Sequence, residues 1–345
     1  NRGKPGETEH YTTPAMNGFD VYFSTESKVP TWDPMRVPLK FGEGESRKYG
    51  WVPVSQVAGK EYGTHYWQGE EDAATENLEG DDSRVIMDRA IPFVRDAASR
   101  QTPFLAIIWF HTPHLPVVAG QKYRDLYATL SLKEQLYYGC ISAMDEQVGR
   151  LWEELRELGI ERDTLLWFCS DNGPENGTPG SAGPFRGRKR SLYEGGVRVP
   201  AFMHWPRQIA KGQSTDLPAV TSDYFPTLLE VLGIDLPAQP QPVDGVSLLP
   251  LIRGNMQQRP RPIGFQTRGM ATWVDNRYKL VVQGQRGSEP KIELFDLRSD
   301  PAETKNLVEL KPDIAAEMQK DGVNKVLLLP MYPQYSKFST GSSLM

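Results

Sequence analysis

An acid and an amide stand where an apolar stretch of the chain gives way to a loop. Asp171 and Asn172 follow the bulky residues 164–169 and precede Gly173 and Pro174. Such a run is typical of a buried strand, and open α/β sheets bind ligands at the carboxyl ends of their strands. A carboxylate oxygen beside an amide oxygen suits a hard cation such as Ca²⁺ or Mg²⁺. The same residues form turns readily, so on their own they favour a plain turn.

Two histidines follow a second apolar run. His111 and His114 come directly after residues 104–110, in the segment His-Thr-Pro-His-Leu-Pro. A pair of histidines three residues apart raises the hypothesis of a zinc site. Pro113 stands between them and prevents the helix that would align them. No third soft ligand lies nearby in the sequence, so the spacing disfavours zinc.

A lysine within a basic run is the third candidate. Lys189 belongs to residues 186–190 and stands four positions before Tyr193, which begins the segment Tyr-Glu-Gly-Gly-Val-Arg. An ammonium group can stabilise negative charge on a bound anion. A basic run alone is more typical of a solvated surface, so the role of Lys189 depends on that spacing. Glu194 and Arg198, inside the segment, are interpreted as residues that fix the turn presenting Lys189.

A β-α-β unit is predicted to position these side chains. Residues 104–110 and 164–169 would be its strands, and a helix between them begins at a capping box of Ser131 and Glu134. Strands joined by such a crossover are parallel. The unit would therefore bring both histidines and Asp171 to the same edge of the sheet.

The rest of the chain gives a coarser pattern. Residues 1–80 are expected to form surface loops, and a tail begins near residue 332. Between them we predict a helix over 81–95 that Pro92 kinks or ends, a strand over 199–205, and a helix capped by Asp223 that ends at residue 232. A linker over 235–262 would follow, and after it short antiparallel strands over 270–274, 278–283 and 292–296 and a helix over 312–320.

Taken together, these motifs resemble those of the sulfatase family, which shares its fold with the alkaline phosphatases. The family pattern is Ser-Asp-Asn-Gly-Pro, a loop, and a lysine four residues before Tyr-Glu-Gly-Gly-x-Arg, as at residues 170–174, 189 and 193–198 here. Further matching segments are His111-Thr112-Pro113-His114-Leu115-Pro116, Asn17-Gly18-Phe19-Asp20, Tyr278-Lys279-Leu280 and Glu293-Leu294-Phe295-Asp296-Leu297. They occur in the family's order and cover nearly the whole chain.

The resemblance implies a fold and a division into domains. The fold would be an α/β, alkaline phosphatase-like sandwich with a mainly parallel central sheet. Residues 1–255 would belong to the large catalytic domain. Residues 256–345 would form a smaller C-terminal α+β subdomain with an antiparallel sheet, a helix and a tail.

The resemblance also assigns roles. His114 and Lys189 would be catalytic and contact the sulfate, and His111 would be a supporting substrate-binding residue. Asp171 and Asn172 would bind Ca²⁺, with Mg²⁺ as the alternative. The family nucleophile is a formylglycine made from the cysteine of Cys-x-Pro-Ser-Arg.

Neither cysteine of this chain begins that sequence. Cys140 and Cys169 are both followed by other residues. We therefore expect the chain to be the C-terminal portion of a sulfatase, with the formylglycine in a preceding segment. On that expectation the chain alone does not turn over sulfate esters, because it holds no nucleophile for sulfur.

The implied activity is hydrolysis of a sulfate monoester on a carbohydrate or small molecule. A phosphodiesterase or phosphonate monoester hydrolase of the same fold is the first alternative, although those enzymes more often carry Asp-His-Gly where this chain has Asp-Asn-Gly at 171–173. A non-catalytic binding protein is the second. Aromatic residues between 32 and 67 would either stack on a sugar or pack against the body of the protein.

Composition restricts the partners. The 345 residues are 39% hydrophobic and carry a formal net charge of −5, so the chain has no basic footprint for nucleic acid. The longest apolar runs are too short to cross a bilayer, and no membrane partner is expected. The family resemblance implies a periplasmic or secreted protein.

Overall fold

The computed structural model describes residues 13–40, 51–52, 59–69, 72–235, 243–267, 269–284 and 289–320. Contacts divide the chain into two compact units, Asn1–Glu161 and Arg162–Met345. The domain boundary expected at residues 255 and 256 comes from the family resemblance and stays a prediction. No helix among the described residues combines the length and apolar character that a membrane crossing requires.

The first unit is built from helices and short strands. Its described elements are a 3₁₀ turn at Ala15–Asn17, strands β1 (Ser24–Thr25), β2 (Leu39–Lys40), β3 (Trp51–Val52) and β4 (Tyr66–Trp67), and helices α1 (Asp82–Ser99), α2 (Gln121–Asp125) and α3 (Leu132–Glu157). Strand β1 pairs with β4 and β2 with β3, both antiparallel. A second 3₁₀ turn, Glu161–Asp163, follows at the division between the units.

The long helix of the first unit confirms its sequence pattern. The Ser131 hydroxyl accepts a hydrogen bond from the Glu134 amide, and the Glu134 carboxylate accepts one from the Ser131 amide at 3.0 Å. The helix ends before Gly159, whose φ of 71° is in the left-handed region that glycine adopts readily. Leu136 and Cys140 on its inner face are fully buried.

Helix α1 is longer than predicted. It continues through Pro92 to Ser99 rather than ending near residue 95. The Arg95 guanidinium lies 2.6 Å from the Glu154 carboxylate of α3, and this pair holds the two helices side by side. Contacts between helices therefore extend α1 beyond the boundary that the proline suggested.

The prediction that residues 104–110 and 164–169 are parallel strands of a β-α-β unit is wrong. Residues 104–110 do not form a hydrogen-bonded strand with any described residue, and the side chains of Leu105, Ile107 and Trp109 are exposed. The second predicted strand exists as β5 (Leu166–Cys169), but it pairs antiparallel with β6 (Ala201–His204). An apolar run indicates that a segment can be a strand, whereas the partner and its direction depend on residues far away in the chain.

The second unit carries the remaining elements. They are β5 and β6, a 3₁₀ turn at Thr221–Asp223, helices α4 (Glu194–Val197), α5 (Tyr224–Leu232), α6 (Leu249–Ile252) and α7 (Pro312–Met318), and strands β7 (Ile263–Thr267), β8 (Met270–Asp275), β9 (Tyr278–Gln283) and β10 (Lys291–Asp296). Strands β7 to β10 form an antiparallel sheet in the order β10-β9-β8-β7.

The antiparallel C-terminal sheet with its helix confirms the sequence prediction. Leu280 and Leu294 in neighbouring strands pack against Ala315 and Met318 of α7. Each of these side chains is at least nine-tenths buried, so the helix covers one face of the sheet. Strand β7 was not predicted, and α6 lies within the expected linker.

Asp223 does not cap α5 with its side chain, contrary to the prediction. Its carboxylate accepts hydrogen bonds from the amides of Val220 and Val246, both at 2.8 Å. It also receives two from the Arg259 guanidinium at 2.7 Å, and both side chains of this pair are buried. The long-range ion pair takes the carboxylate away from the helix terminus.

Asp81 caps α1 from a buried position. Its carboxylate accepts a hydrogen bond of 3.0 Å from the Arg84 amide, and the residue is only 4% exposed. Burial, together with the neighbouring carboxylate of Asp82, raises the pKa of Asp81 from an ordinary 3.8 to about 7.

We expect Asp81→Asn to remove a pH dependence of stability. Between about pH 4 and 7 the folded protein keeps a proton on Asp81 that the unfolded chain has lost, so the free energy of unfolding falls as pH rises through this window. Asparagine also caps helices and cannot ionise. The free energy of unfolding, measured with urea, should fall between pH 5 and pH 8 by less in the variant than in the parent, with a difference on the order of 2 kcal/mol. The control is Asp96→Asn, at an exposed carboxylate of the same helix, which should behave as the parent does. An equal fall in Asp81→Asn and in the parent would contradict the raised pKa of Asp81.

Candidate active site

The loop that follows β5 carries the acid and the amide. Its course is fixed by two backbone hydrogen bonds, from Ser170 to the carbonyl of Pro200 at 3.2 Å and from Gly173 to that of Gly196 at 2.9 Å. A Cβ atom on Gly173 would lie 1.9 Å from the carbonyl oxygen of Gly195. Only glycine allows the two segments to approach this closely, so the glycines of both motifs serve one contact.

The lysine lies in a second loop that is bound to the first. The amide of Lys189 donates to the carbonyl of Pro174 at 3.1 Å, and the amide of Gly195 donates to that of Arg186 at 2.7 Å. The structure therefore holds Asp171, Asn172 and Lys189 in one assembly of two loops.

Arg188 organises the loop around the lysine. One terminal nitrogen of its guanidinium donates to the carbonyl oxygens of Glu175 at 3.1 Å, Thr178 at 3.3 Å and Gly180 at 2.5 Å. Its Nε atom is buried and has no hydrogen-bond partner in the described part of the chain. Arg188 thus binds the protein backbone.

The other two arginines of the basic run also bind the protein. Arg190 donates to the Glu175 carboxylate at 2.6 Å, and the Arg186 guanidinium stacks over the Tyr193 ring at 3.8 Å. Lys189 is different: within the described ranges its ammonium makes no hydrogen bond or ion pair. It is partly buried and lines an open depression together with Asn176 and Arg190.

Asp171 and Asn172 form a small set of oxygen donors. Asp171 is exposed, Asn172 is partly buried, and the amide nitrogen of Asn172 donates to the carboxylate of Asp171. A carboxylate and an amide oxygen fit a hard divalent cation, but they supply only two of the about six to eight oxygens that Ca²⁺ binds. Among the described residues, no group of three or more His, Cys, Asp and Glu is placed to hold a metal ion.

His111, in the first unit, is held by a buried network. Its Nδ1 lies 2.9 Å from the carboxylate of Asp82, which is fully buried, and its Nε2 lies 3.1 Å from the Thr25 hydroxyl. The Tyr66 hydroxyl donates to the other carboxylate oxygen of Asp82 at 2.5 Å. Both ring nitrogens of His111 are therefore engaged. No pattern in the sequence pointed to Asp82 or Tyr66 in this role.

His114 is exposed, and its ring is oriented by the backbone. Its Nδ1 lies 2.7 Å from the carbonyl oxygen of Leu115. A carbonyl oxygen only accepts, so Nδ1 carries a proton and Nε2 is the atom that can exchange one. The placement of His114 in one cleft with Asp171, Asn172 and Lys189 stays a prediction.

A buried ion-pair triad anchors the Tyr-Glu-Gly-Gly segment to the C-terminal sheet. The ammonium of Lys279 in β9 lies 2.8 Å from the Glu194 carboxylate and 3.0 Å from the Glu303 carboxylate. The second oxygen of Glu303 accepts from the Glu194 amide at 2.6 Å. Lys279 is fully buried. A lysine inside an apolar strand was the available sequence signal, because such a residue is rarely buried without partners.

A second link lies beside the triad. The Tyr193 hydroxyl donates to the Glu293 carboxylate of β10 and accepts from the Gln283 amide. Burial and the Glu293 carboxylate raise the pKa of Tyr193 to about 12. Tyr193 also packs against Phe295 at a ring distance of 6.2 Å. Through both links, the sheet fixes the segment that follows Lys189.

We expect Lys279→Met to destabilise the second unit by about 3–5 kcal/mol, because it leaves two buried carboxylates without their counter-ion. The matched control is Lys291→Met in the neighbouring strand, whose ammonium is exposed and pairs with Glu293. That change should cost less than about 1 kcal/mol. The measurement is urea unfolding; equal costs for the two variants would show that the triad does not stabilise the fold.

Two family models match the chain. The sulfatase model matches residues 7–234, and the model described as N-sulphoglucosamine sulphohydrolase, C-terminal, matches residues 183–326. Steryl-sulfatase of Mus musculus is 36% identical over 219 residues, which cover 60% of this chain and 32% of that protein. A sulfatase of Formosa agariphila is 31% identical over 272 residues, which cover 68% of this chain and 48% of that protein. The chain thus spans about a third to a half of the length of these relatives.

Solved structures show the fold. The crystal structure of Ps i-CgsB aligns with a TM-score of 0.73 at 20% identity, over 96% of this chain and 71% of that one. The structure of BT4656 in complex with its substrate D-glucosamine-2-N,6-O-disulfate aligns with a TM-score of 0.62 at 15% identity. The alignment covers 86% of this chain and 78% of that one. The α/β, alkaline phosphatase-like fold predicted from the motifs is thereby confirmed. The chain belongs to the sulfatase family.

Proposed function

We propose that this protein hydrolyses sulfate monoesters of carbohydrates, with Lys189 binding the sulfuryl group. The observation that carries the proposal is the partly buried ammonium of Lys189, which makes no hydrogen bond or ion pair among the described residues. Its backbone is bound to the loop that bears Asp171 and Asn172. Such an ammonium can bind an anion without first breaking an ion pair.

The carbohydrate part of the proposal is supported by structural relatives. One solved structure contains BT4656 with D-glucosamine-2-N,6-O-disulfate, and another contains Ps i-CgsB with k-i-k-neocarrahexaose. The family resemblance further supports a periplasmic or secreted location. Transferred to this chain, these properties define the substrate class to test first.

The chain's own residues account for parts of the reaction. When the bond between sulfur and the ester oxygen breaks, negative charge develops on the sulfuryl oxygens and on the leaving oxygen. Lys189 would stabilise the former. His114, as an imidazolium, would give its Nε2 proton to the latter and keep its Nδ1 proton on the Leu115 carbonyl. Cys140 is fully buried, and burial raises the pKa of its thiol, so it does not act as a thiolate nucleophile.

Asp171 and Asn172 would hold a Ca²⁺ or Mg²⁺ ion through their side-chain oxygens. Bound there, the cation would draw negative charge from the sulfate oxygens. The two residues fit this role by their chemistry and by their position beside the Lys189 loop. The remaining ligands, and the formylglycine that the family uses, form the part of the proposal that rests on resemblance alone.

Lys189→Ala and His114→Ala should each lower kcat/KM for a sulfated sugar by about 100-fold or more, because each removes a contact made to developing charge. Sulfate release is measured with the longest polypeptide that its gene encodes. The matched control is Lys211→Ala, at an exposed lysine of the same unit. Unchanged sulfate release by the Lys189 variant would contradict the proposed role.

Asp171→Ala should abolish binding of Ca²⁺ at this site, since it removes the charged ligand of the pair. Isothermal titration calorimetry with CaCl₂ and the thermal midpoint with and without Ca²⁺ give readouts that do not depend on turnover. Asp216→Ala, at an exposed acid of the same unit, is the control. Equal Ca²⁺ affinities for the Asp171 variant and the parent would remove the metal site from the proposal.

A further inference from the structure

The carboxylate of Glu175 pairs with Arg190, the residue that follows Lys189. Its carboxylate accepts a hydrogen bond of 2.6 Å from the Arg190 guanidinium and one of 2.9 Å from the Asn176 amide. The hydrogen bond from Arg190 holds the pKa of Glu175 below its ordinary value, and the positive charge of Lys189 acts in the same direction. Lys189 is next to Glu175 because its amide donates to the carbonyl of the preceding residue, Pro174, at 3.1 Å, although its ammonium makes no hydrogen bond to that carboxylate.

The backbone of this loop favours the pairing with Arg190. Arg190 has a φ of 73°, in the left-handed region that is uncommon for a residue with a side chain. The amide of Ser191 donates to the carbonyl of Arg188 at 2.9 Å and closes a tight turn around Lys189 and Arg190. The consecutive residues Lys189 and Arg190 therefore occupy different backbone conformations, and only Arg190 reaches the carboxylate.

Glu175 itself is held in place. Its carbonyl oxygen accepts from the Arg188 guanidinium at 3.1 Å, and the preceding carbonyl, of Pro174, accepts from the Lys189 amide at 3.1 Å. Its side chain is 19% exposed. The carboxylate is therefore a fixed negative charge beside the cation to which the proposed function assigns sulfate binding.

A carboxylate without its arginine would be a competitor for the substrate. An ammonium group is a compact charge that pairs with whichever anion is nearest, whereas a guanidinium is always charged and binds carboxylates through several donors. Arg188 already donates to the carbonyls of Glu175, Thr178 and Gly180. If Glu175 lost Arg190, the cation of this loop left to pair with it would therefore be Lys189. The pair so formed would have to be broken before a sulfate group could bind.

We propose that Arg190 is a positioning residue that occupies Glu175 and so keeps the ammonium of Lys189 available for the anionic group of the substrate. This inference rests on the proposed function, which makes Lys189 the sulfate-binding residue. It assigns Arg190 a role through Glu175 and Lys189, without contact to the substrate. The neighbouring basic residues would then differ in function: one binds the anion, and the other neutralises the acid beside it.

The experiment measures the affinity of the 345-residue chain for inorganic sulfate by NMR titration, in the parent and in single and double variants. Arg190→Gln should weaken sulfate binding about three- to ten-fold, as expected for competition by a partly exposed ion pair. Glu175→Gln in the Arg190→Gln background should restore the affinity to within about two-fold of the parent, because the competing charge is gone. Arg190→Lys, which keeps a cation for Glu175, should bind sulfate more tightly than Arg190→Gln.

The rescue separates this role from a structural one. If Arg190 only stabilised the loop, removing Glu175 as well would not restore binding, and that result would overturn the inference. Arg207→Gln, which breaks an exposed pair with Asp163 in the same unit, is the control and should leave the affinity unchanged. Lys189→Ala tests the assumption beneath the inference: if it binds sulfate as the parent does, the proposed function fails. If Lys189→Ala loses binding and Arg190→Gln does not, only the present inference fails.

Discussion

The candidate site of the second unit depends on a buried ammonium between two carboxylates. Lys279 compensates Glu194 and Glu303, and Glu303 also accepts a hydrogen bond from the backbone of Glu194. Burial raises the pKa of Glu303, so its negative charge is stable there only because of these donors. The triad fixes α4 on strand β9. Because Gly173 packs closely against Gly195, which follows Glu194, the position of α4 also places the loop of Asp171 and Asn172. A lysine in the C-terminal sheet therefore determines where the candidate ligands of a much earlier loop lie.

Local patterns predicted local structure well. The capping box of Ser131 and Glu134 and the antiparallel strands after residue 269 depend on residues that are near each other in sequence, and the structure contains both. Residues 104–110 show the limit of this reasoning. Their apolar character fits a strand, but no described segment pairs with them, and β5 joins β6 in the opposite direction from that expected. Asp223 shows the same limit for a single side chain, because Arg259 is too distant in sequence for a local pattern to foresee.

The basic run shows how much of a site the spacing of residues can reveal. Lys189 could be singled out only by its distance from the Tyr-Glu-Gly-Gly segment, since a run of charges does not say where each side chain points. In the structure Arg186 stacks on Tyr193, Arg188 binds backbone carbonyls and Arg190 pairs with Glu175. Three partners of three chemical kinds thus remove the arginines from competition for an anion. The partners lie elsewhere in the fold, which is why the sequence alone did not separate these residues.

The hydrogen bonds of the two histidines in the first unit likewise distinguish their roles. His111 has both ring nitrogens engaged, with buried Asp82 on one side and Thr25 on the other, so transferring a proton would require breaking an existing contact. His114 uses one nitrogen to bind the Leu115 carbonyl and is exposed to solvent. The carbonyl fixes which nitrogen carries the proton, and this sets the direction in which the ring can exchange one. In both units, then, the hydrogen bonds of the protein orient the residue proposed to act on the substrate: the Leu115 carbonyl orients the ring of His114, and the Pro174 carbonyl holds the backbone of Lys189.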